Sequence, residues 1–187
     1  MVKKNACIFI SGFGSNLRSL ILSSRDPAFP IRINLVVSNN PNAVGILHAK
    51  KNSIPYIIIN TKRRDYENTI FKEIKKNKIS IICLAGYMKI ISKRLINKMK
   101  NNILNIHPSL LPKFKGLNTF DRILRKNEKK TGCTVHFVNE KLDSGKIIIQ
   151  KSFYINQHDN LKTLKEKTHK LEHKAYPEAI IKIYRYN

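Results

Sequence analysis

Tryptophan is absent from the 187-residue chain and cysteine is scarce, with Cys7, Cys83 and Cys133 far apart in apolar stretches. An odd count without a C-x-x-C pair excludes a disulfide framework and argues against a structural zinc site. A reducing, cytoplasmic setting is expected. No apolar run approaches the ~18 residues that a membrane span requires, so no membrane partner is expected. The apolar stretch 6–10 behind Lys3 and Lys4 is too short for a leader core, and Ser11, Gly12 and Gly14 follow it. Seven Gly and seven Pro exclude a collagen or a low-complexity linker. Acid is the other scarcity: 12 Asp and Glu face 36 Lys and Arg, a net charge of +24.

With 42% hydrophobic residues, a chain of this length buries roughly 70% of its unfolded surface. A soluble globular fold is expected, as a single domain over residues 1–187. β-Branched and apolar runs recur at 6–10, 33–37, 56–59, 79–85, 103–106, 134–138 and 147–155 and read as strands. Segments of helical period separate the early ones, at 16–22, 43–51, 65–76 and 92–99. Such alternation predicts an α/β fold with a doubly wound, mostly parallel sheet and helices on both faces. The loop 139–146 is too short for a crossover helix, so the last two strands should pair antiparallel and make the sheet mixed. A closing helix is expected from Leu161 to about Tyr184, interrupted or kinked near Pro177.

Chemistry concentrates in a few segments. Ser11-Gly12-Phe13-Gly14-Ser15-Asn16 joins the first strand to the first helix, where free N–H groups and the helix dipole favour a phosphate. The bland alternative is a glycine turn capped by Asn16. Leu17 in place of a third glycine, and Ser38 where an acid would end the second strand, exclude a dinucleotide fingerprint. In Asn105-Ile106-His107-Pro108-Ser109, strand alternation puts Asn105 and His107 on one side, beside a turn set by Pro108 and Pro112. Asp143, before Ser144 and Gly145, is by itself a turn former. His136 faces either the core or the cleft, and alternation leaves both open. His169-Lys170-Leu171-Glu172-His173 matches H-x-x-E-H spacing. A third zinc ligand is wanting, however, and Lys162, Lys165, Lys167, Lys170 and Lys174 would repel a dication. No metal is expected.

The basic excess suits nucleic acid through counterion release. Its Lys and Arg are nevertheless scattered, without aromatic interleaving, in a chain heavy in Asn, Ile and Lys. AT-rich coding accounts for that pattern without a dedicated site, and no specific nucleic-acid partner is expected.

Taken in order, Gly12-Phe13-Gly14-Ser15-Asn16, Ser38-Asn39, Leu84-Ala85-Gly86-Tyr87-Met88-Lys89-Ile90, Asn105-Ile106-His107-Pro108-Ser109-Leu110-Leu111-Pro112, Val135-His136-Phe137-Val138 and Leu142-Asp143-Ser144-Gly145 resemble the folate-dependent formyl transferases. The early glycine loop and short length resemble the phosphoribosylglycinamide formyltransferase branch. The resemblance implies 10-formyltetrahydrofolate as co-substrate, glycinamide ribonucleotide as acceptor in purine biosynthesis, and a monomer or homodimer. It assigns Asn105, His107 and Asp143 as the catalytic trio. Gly14, Ser15 and Asn16 fall on the substrate phosphate loop, and Glu172 on the acid that holds the ribose. Folate contacts fall on Met88, Lys89, Ile90 and Ile91 and on the loop from Lys141 to Asp143. In this scheme the Asn105 amide N–H and protonated His107 stabilise an oxyanion, and Asp143 raises the His107 pKa. Lys89 replaces a usual Arg, Asn118 a frequent His, and Phe13 a small or polar residue. The alternatives are a methionyl-tRNA formyltransferase-like catalytic domain, which would carry a further β-rich domain, and a formate-releasing hydrolase, which would carry an extra N-terminal one. A basic nucleic-acid-binding module on the same fold is the reading from another class.

Overall fold

Strands whose apolar residues run on without alternation must be covered on both faces, and the early strands have this character. The computed structural model of the chain describes residues 2–100 and 102–185. Packing divides the chain into two compact units, Met1–Leu104 and Asn105–Asn187.

The first unit contains β1 (Lys4–Ile10), α1 (Ser15–Ser24), β2 (Ile31–Ser38), α2 (Gly45–Lys51), β3 (Tyr56–Ile58), α3 (Tyr66–Lys76), β4 (Ile81–Leu84) and α4 (Lys93–Lys98). β1 is central, parallel to both β2 and β4, and β3 lies parallel on the outer side of β2. From Ala6 to Ile10 every residue of β1 is buried, as is all of β4, whereas β3 is half-exposed, as an outer strand should be. α1 turns Leu17, Leu20 and Ile21 inward, and each such side chain contributes about 1.5–3 kcal/mol by leaving water. Leu17→Ala would cost about 2–5 kcal/mol. α4 starts where Ser92 accepts the Leu95 N–H at 3.1 Å, a side-chain cap.

β5 (Ile103–His107) straddles the division: its first two residues close the first unit and its last three open the second. The second unit continues with α5 (Thr119–Arg125), β6 (Lys130–Phe137), β7 (Ile147–Tyr154) and α6 (Leu161–Arg185). β6 and β7 pair antiparallel, and α6 packs on both with Leu164, Ala175, Tyr176, Ala179 and Ile180 fully buried. The strand order is β3-β2-β1-β4-β5-β6-β7, a mostly parallel, mixed α/β sheet of seven strands.

Two differences from the sequence-based expectation have physical causes. α6 runs through Pro177 without interruption; the lost N–H costs one bond, which the apolar face buried on β6 and β7 outweighs. α5 was not expected. It is seven residues long with two buried positions, Thr119 and Ile123, too short to show a period.

Candidate active site

Because β1, β2 and β4 run parallel and end in register, with Ile10 beside Ser38 and Phe9 beside Leu84, the loops that follow them emerge together. Ser11 ties these loops. Its hydroxyl donates to Asn39 Oδ1 at 2.5 Å and accepts the Met88 N–H at 2.8 Å, while its carbonyl accepts from Asn40 Nδ2 at 3.0 Å. Gly14 caps α1 with φ 73°, so the cap is Gly14 rather than Asn16, which lies buried in the first helical turn. A side chain at Gly14 would also place its Cβ 2.6 Å from the Gly45 Cα, so glycine is required there for packing as well as for φ. Ser15 opens the helix, and no acidic residue occupies its first turn. Phe13 is 81% exposed. Met88 and Ile90 are also exposed, at 67% and 82%, Lys89 is exposed and Ile91 half-buried.

In the second unit the expected trio is assembled. Asn105 and His107, two apart on β5, both reach Asp143: Asn105 Nδ2 donates to Oδ1 at 3.4 Å, and His107 Nδ1 lies 3.4 Å from Oδ2. His136 completes the cluster, with Nε2 3.2 Å from Asn105 Nδ2 and 3.6 Å from Asp143 Oδ1. It therefore faces the trio, the choice that alternation left open. Asp143 stands at φ 46° in the left-handed region, which Asp tolerates better than most residues. Two residues on, a Cβ at Gly145 would meet the Phe137 carbonyl oxygen at 1.8 Å, so only glycine closes the turn.

Backbone groups that sequence reasoning missed finish the site. Phe114, at φ 57°, presents its carbonyl 2.8 Å from His107 Nε2, and Gly116, at φ 78°, donates its N–H to Asp143 Oδ2 at 2.9 Å. Backbone atoms leave no residue-type signal, and the glycine of Lys115-Gly116-Leu117 was the one available hint. A bulky residue in the left-handed region is strained. Arg122 braces this stretch, donating to the Lys115 carbonyl and lying over the Phe114 ring at 5.6 Å. Thr134 fixes the preceding turn: its hydroxyl donates to the Ser109 carbonyl at 2.6 Å and accepts from the Leu111 N–H at 3.1 Å and from Gln150 Nε2 at 3.0 Å.

Burial and charge pairing oppose each other at the site. Burial lowers the His107 pKa, and although the Phe114 carbonyl and Asp143 oppose it, the net shift is downward from 6.5. Asp143 does raise the ring pKa, as expected, but desolvation outweighs the pairing. For Asp143, burial pushes upward, but the Gly116 N–H at 2.9 Å and the His107 ring at 3.4 Å pull downward and the carboxyl is held at about 2. Both nitrogens of His107 face oxygens, which suits the cation, while burial suits the neutral ring. A ring balanced in this way changes protonation at little cost, the property a proton relay needs.

Elsewhere in the unit, Glu172 is buried on α6, and its charge acts with burial to push the Cys133 thiol up to about 12. Lys141 and Ser144 are exposed on either side of Asp143, and Lys115 Nζ donates to the Ser144 hydroxyl. Among the described residues no group of three or more His, Cys, Asp or Glu could hold a metal, and no helix is long and apolar enough to cross a membrane.

The formyl transferase family model matches residues 4–180. The chain belongs to the formyl transferase family. Among relatives of this formyl transferase, the phosphoribosylglycinamide formyltransferase of Bacillus subtilis is 36% identical over 181 residues, covering 95% of this chain and 93% of that one. The human trifunctional purine biosynthetic protein adenosine-3 is 40% identical over 182 residues, 95% of this chain but 18% of that protein. The chain thus spans less than a fifth of the animal relatives' length. Crystal structures of phosphoribosylglycinamide formyltransferases superpose closely. That from Bacillus halodurans does so at TM-score 0.93 and 34% identity, over 98% of this chain and 96% of that one. For the Brucella melitensis structure the values are 0.92 and 39%, over 97% and 96%.

Proposed function

We propose that the chain transfers the formyl group of 10-formyltetrahydrofolate to the amine of glycinamide ribonucleotide. The reading rests above all on one observation: an amide, an imidazole and a low-pKa carboxylate meet on the β5–β6 side of the second unit. It is strengthened by a full-length relative that bears that activity in its name.

Formyl transfer forms one C–N bond, breaks another and moves one proton from the attacking amine to the departing nitrogen. Negative charge builds on the formyl oxygen meanwhile. The Asn105 N–H held at 3.4 Å from Asp143 is weakly engaged and is available to donate to that oxygen. His107 takes up or gives a proton according to the charge beside it, and Asp143, ionised at any physiological pH, steadies the ring when it is cationic.

The co-substrate supplies the formyl group. Exposed Met88 and Ile90 offer apolar surface of the kind a pterin ring requires, with Lys89 and Ile91 beside them. For the acceptor, the positive end of α1, at Ser15 and Asn16 behind the Gly14 cap and with no acidic residue in its first turn, suits a phosphate monoester. Glu172 would receive ribose hydroxyls. The reading implies small-molecule partners, a cytoplasmic setting and no resident metal.

The test is formation of formylglycinamide ribonucleotide by the purified chain. Product formation at enzyme-like rates, lowered about 10²-fold in His107→Ala, is expected. A folded chain that binds both substrates and yields no product would overturn the reading.

A further inference from the structure

His136 is 2% exposed, and the proposed mechanism leaves it without a task. Its two ring nitrogens face partners of opposite kind. Nδ1 lies 2.8 Å from the Phe137 carbonyl oxygen, which only accepts, so Nδ1 carries a proton. Nε2 lies 3.2 Å from Asn105 Nδ2, which only donates, so Nε2 presents a lone pair. The other tautomer would set N–H against N–H at one end and a lone pair against a carbonyl at the other. A cation paired with Asp143 would meet the first of these conflicts, and its 3.6 Å separation exceeds a hydrogen bond.

An Asn side chain has nearly the same shape with its amide turned over, so packing does not choose which end faces the trio. A neighbour that only accepts does. We propose that His136 is a positioning residue: held as the neutral Nδ1–H ring by the Phe137 carbonyl, it takes one Asn105 N–H and so presents the amide nitrogen, not its oxygen, to the trio. The second N–H, at 3.4 Å from Asp143, then stays free to be redirected to the formyl oxygen. Only this last step rests on the proposed function; the tautomer and the amide orientation do not.

The tautomer is read from the ¹⁵N spectrum of the histidine rings in the intact, ligand-free chain at neutral pH. Protonated Nδ1 with bare Nε2 is expected for His136; a protonated Nε2, alone or in a cation, would overturn the assignment. The second arm compares His136→Phe, a ring without an acceptor, with His136→Gln, which restores an acceptor near Nε2. Turnover should fall about tenfold in His136→Phe, the effect of losing one orienting hydrogen bond. KM for either substrate should barely move, and His136→Gln should recover most of the loss. In an Asn105→Ala background, His136→Phe should cost nothing further. An equal loss in both backgrounds would reduce the ring to packing and overturn the proposal. If His136→Phe does not fold, His136→Gln and the spectrum decide. Should the wild-type chain transfer no formyl group, the proposed function fails, while the spectrum still judges the positioning role.

Discussion

Single side chains of the trio divide one task, so their losses should not add. Asn105→Ala, His107→Ala and Asp143→Ala should each lower turnover by about 10²-fold, with smaller effects on substrate binding, and a double variant should be little worse than a single one. Steady-state kinetics on folded variants checks this, and near-parental turnover in all three would contradict it. Protonation gives a second residue-level expectation. Asp143 is held at about 2, below its ordinary 3.8, so its stabilising contribution is complete above pH 3.8 and is lost as pH falls through about 2. His107 also lies below its ordinary 6.5, so an unfolded chain binds that proton more readily and acid again favours unfolding. Both terms make stability fall on acidification. Asp143→Asn should flatten the denaturation profile below pH 3.8, and an unchanged acid limb would contradict the assignment. At this scale the sequence was legible where side chains carry the chemistry. Asn105 and His107 followed from alternation, whereas His136 needed the third dimension and the Phe114 carbonyl and Gly116 N–H left no trace in residue type.

Elements place these groups, and the turn between β5 and α5 is the most heavily specified. Thr134→Val would leave the Leu111 N–H and the Gln150 amide without their shared acceptor. Unpaired buried groups cost about 1–3 kcal/mol. Chemical denaturation should show a loss of that size together with lower turnover; equal stability would mean that the turn stands without β6. Asn118 occupies the left-handed cap of α5 at φ 54°, so Asn118→Val should be destabilising by about 1–2 kcal/mol while Asn118→Gly is tolerated. Long elements were readable because β-branched runs and helical periods repeat several times. α5 shows its period for less than two turns, and the interruption expected near Pro177 is absent because burial of the neighbouring turns holds the helix together. The phosphate loop also needs care at this scale. Because a Cβ at Gly14 meets Gly45 backbone, Gly14 substitutions test packing, and Ser15→Ala is the cleaner probe, with a modest loss for the phosphate-bearing substrate alone.

At the scale of the whole molecule the +24 charge is the feature least tied to the site. Lysines and arginines spread over the surface attract polyanions through screened contacts, whereas a monophosphate at a helix start depends on short hydrogen bonds. Raising salt from about 50 to about 200 mM should weaken nucleic-acid binding by ~10³–10⁵-fold, as for several phosphate contacts, and change formyl transfer much less. Filter binding and turnover measured in the same buffers check this. The order of strands and helices, the mixed sheet and its antiparallel close were legible from patterning, while the substrate rested on motif resemblance, since a fold of this kind serves many chemistries. Acceptor choice is therefore the most direct test. With 10-formyltetrahydrofolate as donor, kcat/KM should be measured for glycinamide ribonucleotide beside initiator methionyl-tRNA. The account predicts efficient transfer to the ribonucleotide and negligible transfer to the tRNA; efficient transfer to the tRNA with none to the ribonucleotide would contradict it.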